Sequence, residues 1–121
     1  MADGVRVNLA EKLATFSEQW SPKIVETIDD YEVKVVKIDG DFVWHQHAEA
    51  DELFIVLKGK LRMDFRDRRV AIGPGELIVV PRGTEHKPYA ENCEMILLER
   101  RGVANTGDGP ASERTATPVR I

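Results

Sequence analysis

Cysteine and histidine are both scarce in this 121-residue chain, with one of the first and three of the second. A lone Cys93 cannot build a disulfide framework, so stability has to come from a packed core and a reducing, cytoplasmic setting is expected. No apolar run approaches the roughly 20 residues needed to cross a bilayer. The start, MADGVRVNLAEKL, lacks the basic-then-apolar layout of a secretory leader. Lys and Arg (17) do not outnumber Asp and Glu (21), and the net charge is -4. There is no basic stripe of the kind a nucleic acid requires. Neither a membrane nor a nucleic-acid partner is therefore expected. A glycine-rich phosphate loop is missing as well. The length suits one domain that buries roughly two-thirds of its unfolded surface.

What is present is mostly a period of two. Residues 1–22 form an N-terminal helical segment: Asn8 can cap a short helix with Glu11 three positions on. Leu9, Leu13, Phe16 and Trp20 then recur at helical spacing as a packing face that Pro22 stops. From residue 23 to 101 the chain reads as strands. KIVETI and YEVKVVKI flank the turn dipeptide Asp29-Asp30, and Asp39-Gly40-Asp41 is the next turn. After Gly59, KLRMDF alternates, RDRR is a polar hairpin tip and VAI is a short return. ELIVV and CEMILLER follow, separated by the turns Gly73-Pro74-Gly75 and Pro81-Arg82-Gly83. Residues 102–121 turn to Gly, Ala, Thr, Ser and Pro, a loose tail or an arm draped over the domain. Many short strands with Gly and Pro turns and a single short helix describe an all-β sandwich or barrel.

The chemistry concentrates between Gly40 and Gly59, GDFVWHQHAEADELFIVLKG. On an extended strand, His45 and His47 face the same way, about 7 Å apart. A tight connection then lets the ELFIVLK strand return Glu52 towards them. His86 follows the PRG turn. Three imidazoles and one carboxylate make a mixed N/O site for a divalent transition metal. Glu49 is the competing acidic ligand. A carboxylate in the interior without a compensating charge costs several kcal/mol, and a metal would supply that charge. On the same parity, Val43, Phe54, Met63 and Phe65 would line the pocket. Tyr89 and Arg82 fall off the His86 parity and are expected at the surface.

Written as spacings, Gly40 to Gly59 is G-x4-H-x-H-x4-E-x6-G, and Gly75 to His86 is G-x5-P-x-G-x2-H. The pair resembles the two motifs of the cupin superfamily, over about residues 31 to 100, in the manner of its small single-domain bacterial members. The first gap is one residue shorter than usual. The family's final Asn, due near Ala90, is absent, with Asn92 two places late. The resemblance implies a single-domain antiparallel jelly-roll β-barrel holding one metal, with His45, His47, Glu52 and His86 on the ligand positions. Iron, manganese, nickel, zinc and copper all suit such donors.

Four ligands leave about two positions of an octahedral ion open, as a catalytic metal requires. The first functional expectation is a metal-dependent enzyme acting on a small oxygenated metabolite, a sugar or carboxylic acid, by isomerase, lyase or dioxygenase chemistry. The alternative is a non-catalytic module in which the metal anchors a small ligand; a barrel in which the metal only adds stability is the third. The alternation also sets Phe42, Trp44, Leu53, Ile55 and Leu57 on the outer face. Five large apolar groups exceed what a monomer usually leaves bare. Either the N-terminal helix or a second subunit covers them; because the helix stripe is short, a homodimer is expected there.

Overall fold

The computed structural model describes residues 3–108, 112 and 115–121. Residues 1–2 of the N-terminal segment, and 109–111, 113 and 114 of the C-terminal arm, lie outside the described residues. The elements in chain order are α1 (Leu9–Leu13), β1 (Lys23–Ile28), β2 (Tyr31–Asp41), β3 (Glu52–Phe65), β4 (Arg69–Ile72), β5 (Leu77–Val80), β6 (His86–Arg100) and β7 (Val119–Arg120).

Helix α1 is shorter than its apolar spacing predicts. Asn8 caps it as expected, its side chain accepting from the Glu11 amide at 3.0 Å. Thr15 then bonds the Lys12 carbonyl with its own hydroxyl, an alternative to continuing the helix. Leu13, with Leu9 and Phe16, packs on Val25, Val33 and Val35. Trp20 is not on that face at all. Its φ of 59° breaks the helical path, and its ring is buried in the main core.

The strands form one mostly antiparallel sheet in the order β4-β3-β6-β2-β1-β7, with β5 beside β4 on the same edge of β3. The expected barrel is not closed: among the described residues no ladder joins β4 or β5 to β7. The edge strands are too short to close it, since β4 and β5 have four residues each and the two residues of β7 are spent on β1. The sheet curls instead, because its long strands are bent. Register shifts fall at Ile38/Gly40 in β2 and between Val56 and Lys60 in β3, and extra residues of this kind sharpen local twist. At Gly59 the backbone of β6 comes close to β3: its φ is +80°, and a Cβ would overlap the Asn92 carbonyl oxygen. This glycine looks like a strand break in the sequence, yet β3 runs straight through it.

Registers sort the side chains by face. Val33, Leu98, Leu53 and Val79 make one outer row, and Val35, Ile96, Ile55 and Leu77 the next. Inside, Lys34, Leu97, Phe54 and Ile78 form a row beside Val36, Met95 and Val56. The main core gathers the apolar members of these rows with Trp20, Ile38, Phe42, Leu61, Met63 and Phe65.

Candidate metal centre

His45 and His47 do not lie on a regular strand. The segment after β2 is irregular, tied by a single antiparallel bridge from His45 to His86. The same parity survives: both imidazoles are buried, as are Glu52 at the start of β3 and His86 at the start of β6. One donor atom from each of the four lies within 4.8 Å of every other. The irregular segment is pinned from three sides. The His45 and His86 backbones exchange hydrogen bonds, Gly83 donates to the His47 carbonyl, and Asp108 donates to the Gln46 carbonyl. Gly107 of the C-terminal arm presses so close to Gln46 that a Cβ there would strike its carbonyl oxygen.

Two of the imidazoles are oriented in advance. His45 Nδ1 lies 2.8 Å from the Val43 carbonyl and His86 Nδ1 2.8 Å from that of Thr84. A carbonyl only accepts, so each Nδ1 carries the proton and each Nε2 presents a lone pair to the cluster. Both nitrogens of His47 are buried without a hydrogen-bond partner. Its Nε2 lies 3.0 Å from Glu52 Oε1, but in an orientation that makes no hydrogen bond. His86 Nε2 approaches the same oxygen at 3.2 Å. An imidazole buried with nothing to bond is costly, and a cation is what this donor set lacks. Buried nitrogens and one carboxylate fit a divalent transition metal.

Electrostatics agree with this reading. Burial, with the neighbouring His86, lowers the His45 pKa to about 4, which keeps the ring neutral and able to ligate. Burial alone would raise Glu52, but the close imidazoles of His47 and His86 outweigh it and hold its carboxyl below the usual range.

Of the residues expected to line the pocket, only Phe54 does so. A cavity of about 40 Å³ opens beside His45 and Glu52, walled by Phe54, Trp20, Phe42, Ile38 and Met95 among others, with Asn105 as its polar edge. Met63 and Phe65 are packed within the core and Val43 against it. Phe42 had been expected outside. Because the chain leaves regular β2 before it, parity fails there and its ring turns in, stacking on Trp20 at 4.8 Å and meeting His45 edge-on. Trp20 carried no signal beyond its apolar character. Glu49 is exposed, in a cleft that His47 also borders. Arg82 is bound to Asp51 at the surface, and Tyr89 lies under Arg62 beside Glu91.

The interior also holds a cation that the spacing of the motifs does not announce. Lys34 and Glu99 are both fully buried and joined at 2.7 Å. Both fall on the interior parity of their strands, Lys34 with Val36 and Ile38, Glu99 with Met95 and Leu97, which was the available signal. Glu52 therefore does not sit in an interior free of positive charge. That lysine is paired with Glu99 and approaches Glu32, and among the described residues no ion pair joins it to Glu52.

Residues 32–98 match the cupin domain family. The chain belongs to the cupin family. A cupin-2 domain containing protein from Shewanella frigidimarina NCIMB 400 is 41% identical, over 78% of this chain and 92% of that one, with a TM-score of 0.74. Protein NMB1881 from Neisseria meningitidis is 34% identical over 79% of this cupin and 99% of its own chain, with a TM-score of 0.73. YdbB of Bacillus subtilis (strain 168) is 36% identical over 78 residues, 64% of this cupin and 63% of YdbB. The match thus spans less than two-thirds of YdbB's length. Among the described residues, no helix is long and apolar enough to cross a membrane.

Proposed function

We propose that this cupin is a metal-dependent enzyme acting on a small oxygenated molecule, by isomerase, lyase or dioxygenase chemistry. The observation that carries this reading is that two of the four clustered, buried donors, His45 and Glu52, line a partly open apolar cavity. A divalent ion held by His45, His47, Glu52 and His86 would act there as a Lewis acid towards a substrate oxygen. The chain's own residues supply the rest. Val43 and Thr84 carbonyls fix two of the rings, while Trp20, Phe42 and Phe54 exclude water and strengthen local electrostatics. At about 40 Å³, the cavity admits about three waters or a few heavy atoms without rearrangement. Among the described residues the walls carry no cation, which favours an apolar body bearing one ligating oxygen over a sugar phosphate. Purified protein loaded with iron or manganese, assayed with and without oxygen against small hydroxy and keto compounds, tests it. Dioxygenation stops without oxygen and isomerisation does not. Absence of turnover with every compound and metal would contradict the enzymatic reading.

A second reading, a metal-anchored binding module, draws on one observation. Among the described residues lining the cavity, every acid–base group belongs to the donor set. Ligands that raise the melting temperature without being consumed would support it.

The outer face supports a homodimer. Leu57, Leu77 and Val79 are 37%, 59% and 49% exposed, beside half-buried Leu53, Ile55, Ile96 and Leu98. A two-fold copy would set these rows against themselves. Light scattering should give twice the chain mass, falling to one chain in Leu77→Asp; a monomeric wild type would refute it.

A further inference from the structure

The ligand Glu52 is one of a rank of carboxylates. The antiparallel register that pairs Leu53 with Leu98 puts Glu52 opposite Glu99 across β3 and β6, and Glu99 pairs in turn with Glu32 on β2. The rank runs from half-buried Glu32 through fully buried Glu99 to Glu52 in the donor cluster. Lys34 stands on the same face of β2 as Glu32. Its ammonium lies 2.7 Å from Glu99 Oε1 and 3.6 Å from Glu32 Oε1.

The far oxygen of Glu99, Oε2, is buried without a hydrogen-bond donor. Across the register its neighbour on the interior face is Glu52. Lys34 anchors one oxygen of Glu99, leaving the other unbonded on the face that the register shares with Glu52. On its other side, Glu52 Oε1 faces the imidazoles of His47 and His86, at 3.0 and 3.2 Å.

We propose that Glu99, held by Lys34, is a positioning residue for the metal ligand Glu52, setting the direction from which its carboxylate meets the ion. This rests on the metal reading above. A partner that orients a ligand without touching the metal typically changes affinity 10- to 100-fold.

The experiment titrates wild type, Glu99→Leu, Glu99→Gln and Lys34→Met/Glu99→Leu with cobalt(II), following the visible absorption spectrum of the bound ion. Glu99→Gln keeps the shape, with an oxygen for Lys34 and an N–H for Glu52. It should retain affinity within about threefold and the wild-type spectrum. Glu99→Leu should bind at least tenfold more weakly, with a shifted spectrum. Should it fail to fold, the double variant carries the same expectation, because it replaces the ion pair by apolar groups of similar volume. Wild-type affinity in a folded leucine variant, or weaker binding with an unchanged spectrum, would overturn the positioning role alone. Failure of wild type to bind cobalt would overturn the metal reading, and this role with it.

Discussion

Acid should unfold the metal-free protein in a way that one histidine controls. His45 is 8% exposed, and burial with the nearby His86 lowers its pKa from 6.5 to about 4. In the unfolded chain the ring takes up its proton as the pH falls through 6.5, whereas the folded chain resists until about 4. The unfolded state therefore binds more protons across that window, and stability falls with pH inside it. At about 1.4 kcal/mol per pH unit per proton, the full window is worth about 3 kcal/mol. Glu99 works the other way. Its carboxyl is raised by burial and by Glu52, so acidification relieves a cost it carries at neutral pH. The comparison that isolates His45 is thus wild type against His45→Gln, by urea unfolding at pH 7.5, 6, 5 and 4.5 with chelator present. Wild type should lose about 2 kcal/mol more than the variant between the ends of that series. Parallel curves would refute the reasoning, since they would mean that His45 titrates alike in both states.

Two further outcomes follow from the packing. Gly59→Ala should destabilise the fold by about 3 kcal/mol, combining a left-handed residue with overlap on the Asn92 carbonyl; a loss below about 1 kcal/mol in urea would show that the β3–β6 crossing yields easily. Burial pushes the Cys93 thiol up to about 12, so native protein at pH 8 should resist iodoacetamide that modifies it at once in urea. Equal rates in both would contradict that placement.

The donor set was legible because its residue types are scarce and because parity is a robust guide. His45 and His47 keep one face even on irregular backbone, and Glu52 and His86 open two long antiparallel strands, at opposite ends of a bent ladder that brings their donor atoms together. What escaped was set by tertiary contact. Nothing local says that β3 continues through Gly59, because the reason is the nearness of Asn92 on another strand. Phe42 and Trp20 depend on each other: each turns inward because the other ring is there to stack on. Lys34 and Glu99 lie 65 positions apart, and each taken alone is a charged residue on an otherwise apolar face. Only the register of β2 with β6 shows that they meet.

The central claim, that the three histidines and Glu52 grip one divalent ion, is tested most directly by metal stoichiometry. Wild type and His47→Ala are stripped, reloaded with nickel or manganese, desalted and analysed for bound metal. The account predicts about one ion per wild-type chain and at least a tenfold weaker affinity in the variant. Equal metal in the two proteins, or none in either, would contradict it.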